Sequence, residues 1–162
     1  MSKLLIGVNA PDVMFTDLEN RQIALSSFQG EPVLLNFFKN NCVWCRSELV
    51  NLAYVYRRVE NVQVKVIGVL VGQDAATARQ FAEEQNLDIP ILLDNAGESE
   101  TAFLLERVPT LVLLDASGKV ACVFEGATEQ LAGIVEQTIL AIAGNQELPE
   151  YSLVGNGCSV HD

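Results

Sequence analysis

The stretch "LLNFFKNNCVWCRSELVNL", Leu34–Leu52, decides the fold. It opens inside a nearly unbroken apolar run, "PVLLNFF" (32–38), of strand length and with no polar alternation, the pattern of a parallel strand buried on both faces. Three polar residues, Lys39–Asn41, interrupt it. Beyond them Cys45, Leu49, Leu52, Tyr56 and Val59 recur at helical spacing, which predicts a helix over about 42–59 with that stripe turned inward. Two cysteines therefore stand where a buried strand gives way to a helix.

Outward from this unit the same pattern repeats. "VKVIGVLVG" (64–72) reads as a second buried strand, and Asp74 as the cap of a helix carrying Ala78, Phe81 and Ala82 on one face. "IPILLD" is a short strand and "ESETAFLLE" a short helix leading into "VPTLVLLD". The turn "ASGK" predicts an antiparallel hairpin with "VACVFEG". A last helix is expected from Thr128 to Gly144, with Leu131, Ile134, Val135, Thr138 and Ile142 inward. Upstream, "DVMFTD" and "RQIALSS" flank "LENR" and predict a β-hairpin ahead of the main unit. The expected organisation is one α/β domain over 1–144, a central mixed sheet between helix layers, with residues 1–30 as a hairpin extension. Residues 145–162, polar and rich in Gly and Asn, are expected to be a loosely attached tail.

At 162 residues the chain can bury a full core without staples, so its four cysteines are not needed for stability. Their positions, 42, 45, 122 and 158, are too few and too uneven for a secreted disulfide framework. Ten Lys and Arg against 21 Asp and Glu give a net charge of −11, which argues against nucleic acid as a partner. No apolar run approaches the roughly 18 residues of a membrane span. "MSKLLIGVNAPD" has no apolar core of signal-peptide length, so the sequence as given reads as cytoplasmic, or as extracytoplasmic if a leader has been removed.

The chemistry follows from position. Cys42 at the start of a helix meets unpaired N–H groups and the positive end of the dipole, a placement that lowers a thiol pKa from about 8.5 into roughly the 3.5–7.5 range. It is the expected nucleophile. Cys45, one turn on and facing inward, is the expected resolving thiol. Glu48, three residues further, can approach Cys45 and take or return its proton.

With these residues in place, "VNAPDVMFTDLENRQIALSSFQGEPVLLNFFKNNCVWCRSE" and "ERVPTLVLLDASGKV" resemble the TlpA/ResA branch of the thioredoxin superfamily, whose neighbours are the AhpC/TSA redoxins. The resemblance reaches across most of residues 7 to 126. It implies a three-layer α/β/α thioredoxin fold and a thiol:disulfide oxidoreductase. It places nucleophile, resolving thiol and acid/base on Cys42, Cys45 and Glu48, and a cis-proline on Pro109. Val108 then offers backbone groups to an extended substrate, and Trp44 and Pro109 line the same place. Asn36 stands where this branch often has Asn. Asn41 replaces the usual Trp before the first cysteine, and Trp44 stands between the cysteines where Pro is common. No cofactor is implied, and the partners are protein thiols or disulfides and an upstream redox protein. Members of this branch usually work outside the cytoplasm.

Other readings stay open on sequence. Cys45 with "CRSE" is compatible with a peroxiredoxin-type thiol peroxidase, although Cys42 occupies the position of its upstream Thr. Cys42, Cys45, Cys158 and His161 have the ligand types of a Cys3His zinc module. Cys158 is also a possible third thiol on a flexible tail, and a degenerate adaptor would keep the pair without using it. Cys122 reads as a small buried hydrophobe. His161 is the only histidine, so no Cys-His dyad can form in the core.

Overall fold

The computed structural model describes residue 4, residues 6–149 and residues 155–160. Its strands are β1 (Met14–Thr16), β2 (Gln22–Ala24), β3 (Val33–Phe38), β4 (Lys65–Val71), β5 (Ile91–Asp94), β6 (Arg107–Val108), β7 (Thr110–Leu114), β8 (Val120–Glu125) and β9 (Cys158–Ser159). The helices are α1 (Val43–Arg58), α2 (Ala75–Gln85), α3 (Glu98–Ala102) and α4 (Leu131–Ala143). Seven strands form one sheet in the order β2-β1-β5-β4-β3-β7-β8. The β3–β4 and β4–β5 pairs are parallel, and β1–β2, β1–β5, β3–β7 and β7–β8 are antiparallel. This is the mixed sheet expected.

Burial explains the composition of the central strands. Every residue of β3 is buried, because helices cover both faces. On one side Leu52 and Val55 of α1 and Val59 just beyond it pack with Leu131, Val135 and Ile139 of α4 over Leu34, Leu111 and Leu113. On the other, Ala78 and Phe81 of α2 and Phe103 beyond α3 pack over Phe37, Val69 and Leu93. Phe37 and Phe103 meet with ring centroids 4.9 Å apart.

Helix ends follow their side chains. Asp74 caps α2, accepting from the Thr77 N–H at 2.8 Å. The buried Asp94 carboxylate accepts from the N–H groups of Glu98 and Ser99, at 3.0 and 2.7 Å, and so fixes the start of α3. The last helix begins at Leu131 rather than Thr128, because residues 128–130 form a turn closed by Leu131 N–H to Thr128 O.

Two features differ from the sequence expectation. The N-terminal hairpin is continuous with the main sheet, since Thr16 of β1 pairs with Leu93 of β5. The end of the tail is also built in: β9 pairs antiparallel with β6, and Val160 is buried. The glycines that suggested looseness instead permit close contact. A Cβ at Gly155 would lie 2.6 Å from the Ala127 carbonyl oxygen, and one at Gly157 would lie 2.6 Å from that of Val108.

Candidate active site

Interior strand β3 delivers the chain to the end of the sheet at which α1 begins. Cys42 is the N-cap of α1, with extended backbone, and its sulfur accepts the Cys45 N–H at 3.3 Å. The cysteine thus satisfies one of the donors that every helix start leaves open. As a thiol it also donates to the Val108 carbonyl at 3.7 Å. All four cysteines are free thiols.

The two thiols of the pair are pushed in opposite directions. Burial raises the Cys42 pKa, but hydrogen bonds from the Cys158 and Cys45 thiols, and from the N–H groups of the same two residues, outweigh it and hold Cys42 below its ordinary value. Burial drives Cys45 far upward, and the Cys42 sulfur and the Glu48 carboxylate add to the rise. Glu48 is itself buried one turn along α1, and burial pushes its carboxyl up to about 8, with the Asn36 side chain pulling slightly the other way. Glu48 Oε2 and both polar atoms of the Asn36 side chain have no hydrogen-bond partner among the described residues.

The Val108–Pro109 bond is cis. Residues 106–110 form the loop that faces the first turn of α1, and Thr110 Oγ1 donates to the Arg107 carbonyl at 2.7 Å to close it. Trp44, 40% exposed, lies on the open side of the first turn of α1, two residues beyond Cys42. The structure therefore brings Cys42, Cys45, Glu48, Val108 and Pro109 to one end of the sheet, with Trp44 at the rim.

Cys158 belongs to this group: the sequence left open a flexible tail reaching the Cys42–Cys45 site, whereas the structure docks it as a strand on β6. It stands opposite Val108 in the β6–β9 register. Its thiol hydrogen-bonds the Cys42 sulfur, and its own sulfur accepts from the N–H groups of Trp44 and Val43. Of the signals that mark this docking, the glycines at 155 and 157 and the apolar Val160 were visible in the sequence, but they carry no long-range partner.

The alternative readings fare differently. A peroxidatic Cys45 would need a stabilised thiolate, and although both thiols of the pair are buried it is Cys45 whose pKa is raised. A Cys3His zinc site brings Cys158 to Cys42, yet no group of three or more His, Cys, Asp or Glu among the described residues is arranged to hold a metal, and His161 lies outside the described residues. Cys122 sits on β8, opposite Leu113, and burial raises its pKa to about 11. Among the described residues no helix is long and apolar enough to cross a membrane.

Comparison with known proteins agrees with this geometry. The AhpC/TSA family model matches residues 6–123. The thiol-disulfide oxidoreductase ResA of Geobacillus thermodenitrificans is 31% identical over 121 residues, covering 75% of this chain and 70% of that protein. A Chlorobium tepidum structure assigned as a thiol:disulfide interchange protein DsbE superposes with a TM-score of 0.80 at 24% identity, over 88% of this chain and 100% of that one. The thioredoxin domain of a Bacteroides vulgatus thiol-disulfide oxidoreductase gives 0.73 at 24% identity, over 85% and 99%. At such identities the two structures speak for the fold, which is that of thioredoxin.

Proposed function

The chain belongs to the AhpC/TSA family, and from that membership and the site we propose that it is a thiol:disulfide oxidoreductase exchanging disulfides with protein substrates through Cys42 and Cys45. The observation that carries this reading is two free thiols one helical turn apart at the start of α1, with Cys42 as the N-cap accepting the Cys45 N–H at 3.3 Å; their surroundings push Cys42 downward and Cys45 upward. A pair separated in this way has one thiol ready to attack and one that waits.

In the reducing direction the Cys42 thiolate attacks one sulfur of a substrate disulfide, and the substrate's other sulfur leaves as a thiolate. Cys45 then gives its proton to the Glu48 carboxylate and attacks Cys42, forming the Cys42–Cys45 disulfide and releasing the second substrate thiol. In the oxidising direction a substrate thiolate attacks Cys42, and Cys45 leaves and takes the proton from the Glu48 carboxyl; the substrate's second thiolate then attacks the substrate sulfur of the mixed disulfide, forming the substrate disulfide and releasing the Cys42 thiolate. A carboxyl titrating at about 8 can serve both directions near neutral pH. The Val108 backbone and Pro109 would hold the extended substrate beside Cys42, with Trp44 as the flanking contact. Exchange with an upstream redox protein would restore the starting state.

Equilibration against glutathione buffers tests this directly. The expected result is one two-electron couple that disappears in Cys42→Ser. A midpoint near about −270 mV makes the chain a reductant, and one near about −120 mV makes it an oxidant suited to an extracytoplasmic compartment. Titration without any couple would sink the proposal.

A further inference from the structure

The tail occupies the site in a defined way. Strand β9 takes the open edge of β6, the backbone to which the proposed function assigns an extended substrate, and Cys158 is the residue paired with Val108. The docking is held along its length. Gly155 N–H donates to Glu125 O at 2.7 Å, Ala127 and Asn156 exchange two N–H···O bonds at 2.7 and 2.9 Å, and Arg107 Nη1 donates to Gly155 O at 3.0 Å. Val160 N–H reaches Glu106 O at 3.2 Å, and Lys39 Nζ donates to Val160 O. With the strand in place Cys42 is 0% exposed, and Cys158, paired with Val108, hydrogen-bonds it from outside the Cys42–Cys45 pair.

We propose that Cys158 is a third exchange thiol, which moves the disulfide from Cys42–Cys45 to Cys42–Cys158. This inference rests on the disulfide-exchange reading above. The Cys158 thiolate attacks the Cys42 sulfur, the Cys42–Cys45 bond breaks, and Cys45 leaves as a thiolate that takes a proton from the Glu48 carboxyl. The proton that Cys158 gave up to solvent balances it, and there is no net oxidation. Reduced, the Cys158 thiol is held protonated chiefly by its hydrogen bond to Cys42. Once Cys42 is in a disulfide that restraint is gone, and the N–H groups of Val43 and Trp44 at the start of α1 remain to favour the Cys158 thiolate. The new bond would tether β9 over the substrate edge and leave Cys45 reduced.

The experiment oxidises full-length wild type and Cys45→Ser with glutathione disulfide under native conditions, counts the remaining thiols, and maps disulfides by non-reducing peptide mass spectrometry. Cys45→Ser keeps three of the four cysteines. The expected count falls from three to one, with a Cys42–Cys158 peptide in a monomeric chain. A count of two with glutathione on Cys42 and Cys158 free would overturn the inference. If Cys45→Ser does not fold, the wild-type map decides: a Cys42–Cys158 peptide beside the Cys42–Cys45 one supports it, and its absence across all buffers overturns it. Wild type that forms no disulfide at Cys42 overturns the underlying exchange reading as well.

Discussion

Cys158 lies opposite Val108 across the antiparallel β6–β9 pair, and the carbonyl of Val108 is the acceptor of the Cys42 thiol at 3.7 Å. A single backbone residue therefore links Cys42 to the tail. Anything that lifts β9 from β6 uncovers Cys42 and removes one source of its lowered pKa.

Gly157→Ala is the smallest such change. The added Cβ would fall 2.6 Å from the Val108 carbonyl oxygen, a backbone atom that cannot step aside, so the strand must separate. Overpacking of this kind costs roughly 1–3 kcal/mol, enough to open a locally docked segment without unfolding the domain. Alkylation of Cys42 by iodoacetamide at neutral pH should accelerate on the order of tenfold, since each 1.4 kcal/mol or so is a factor of ten. An unchanged rate would mean that the tail does not shield the thiol.

Glu48 makes stability depend on pH in an unusual direction. Its folded pKa of about 8 lies above the ordinary 4.5, so between those values the folded chain holds a proton that the unfolded chain has lost. Below 4.5 both states are protonated and Glu48 costs nothing; as pH rises through 4.5 towards 8 stability falls, and above 8 the full penalty applies. That penalty is on the order of a few kcal/mol for a shift of this size. Glu48→Gln should thus gain on wild type in urea midpoint between pH 5 and pH 9. A constant difference across that range would contradict the placement of a buried, titrating carboxyl.

Phe37→Ala tests how the core holds the site. Phe37 is fully buried on β3, packed on Phe103, and lies five residues before Cys42. Truncation should cost about 3–5 kcal/mol in urea unfolding. A cost below about 1 kcal/mol would show that this layer is loosely packed.

The parts of the structure legible in the sequence are those written in local patterns. The nearly unbroken apolar run before Lys39 marked β3, the spacing from Cys45 to Val59 marked α1, and Asp74 marked the start of α2. Cys42 and Cys45 were recognisable because their chemistry depends on their place in one helix turn. The docking of Cys158 was not, because it depends on pairing residues about fifty apart in sequence, Val108 with Cys158, and on glycines whose role is clearance rather than flexibility. The joining of the N-terminal hairpin to β5 was hidden for a similar reason: one pairing, Thr16 with Leu93, carries it.

Asn36 offers a test of the proton site that leaves the thiols alone. Its buried amide makes no well-formed hydrogen bond among the described residues, yet it lies close enough to Glu48 to act on that carboxyl as a weak donor and lower its pKa. Asn36→Leu has a similar shape and removes an unpaired polar group, so stability should hold or rise by about 1–2 kcal/mol. With the amide gone, desolvation acts on Glu48 without opposition, and its pKa should move above the present value of about 8. The fall in stability due to Glu48 should still begin near 4.5 but continue to a higher pH. Carbon-13 NMR of the Glu48 carboxyl across the pH range reads this shift directly. A Glu48 pKa that falls in Asn36→Leu would mean that the amide supports the protonated carboxyl, and the proton relay to Cys45 would need to be drawn through Asn36 instead.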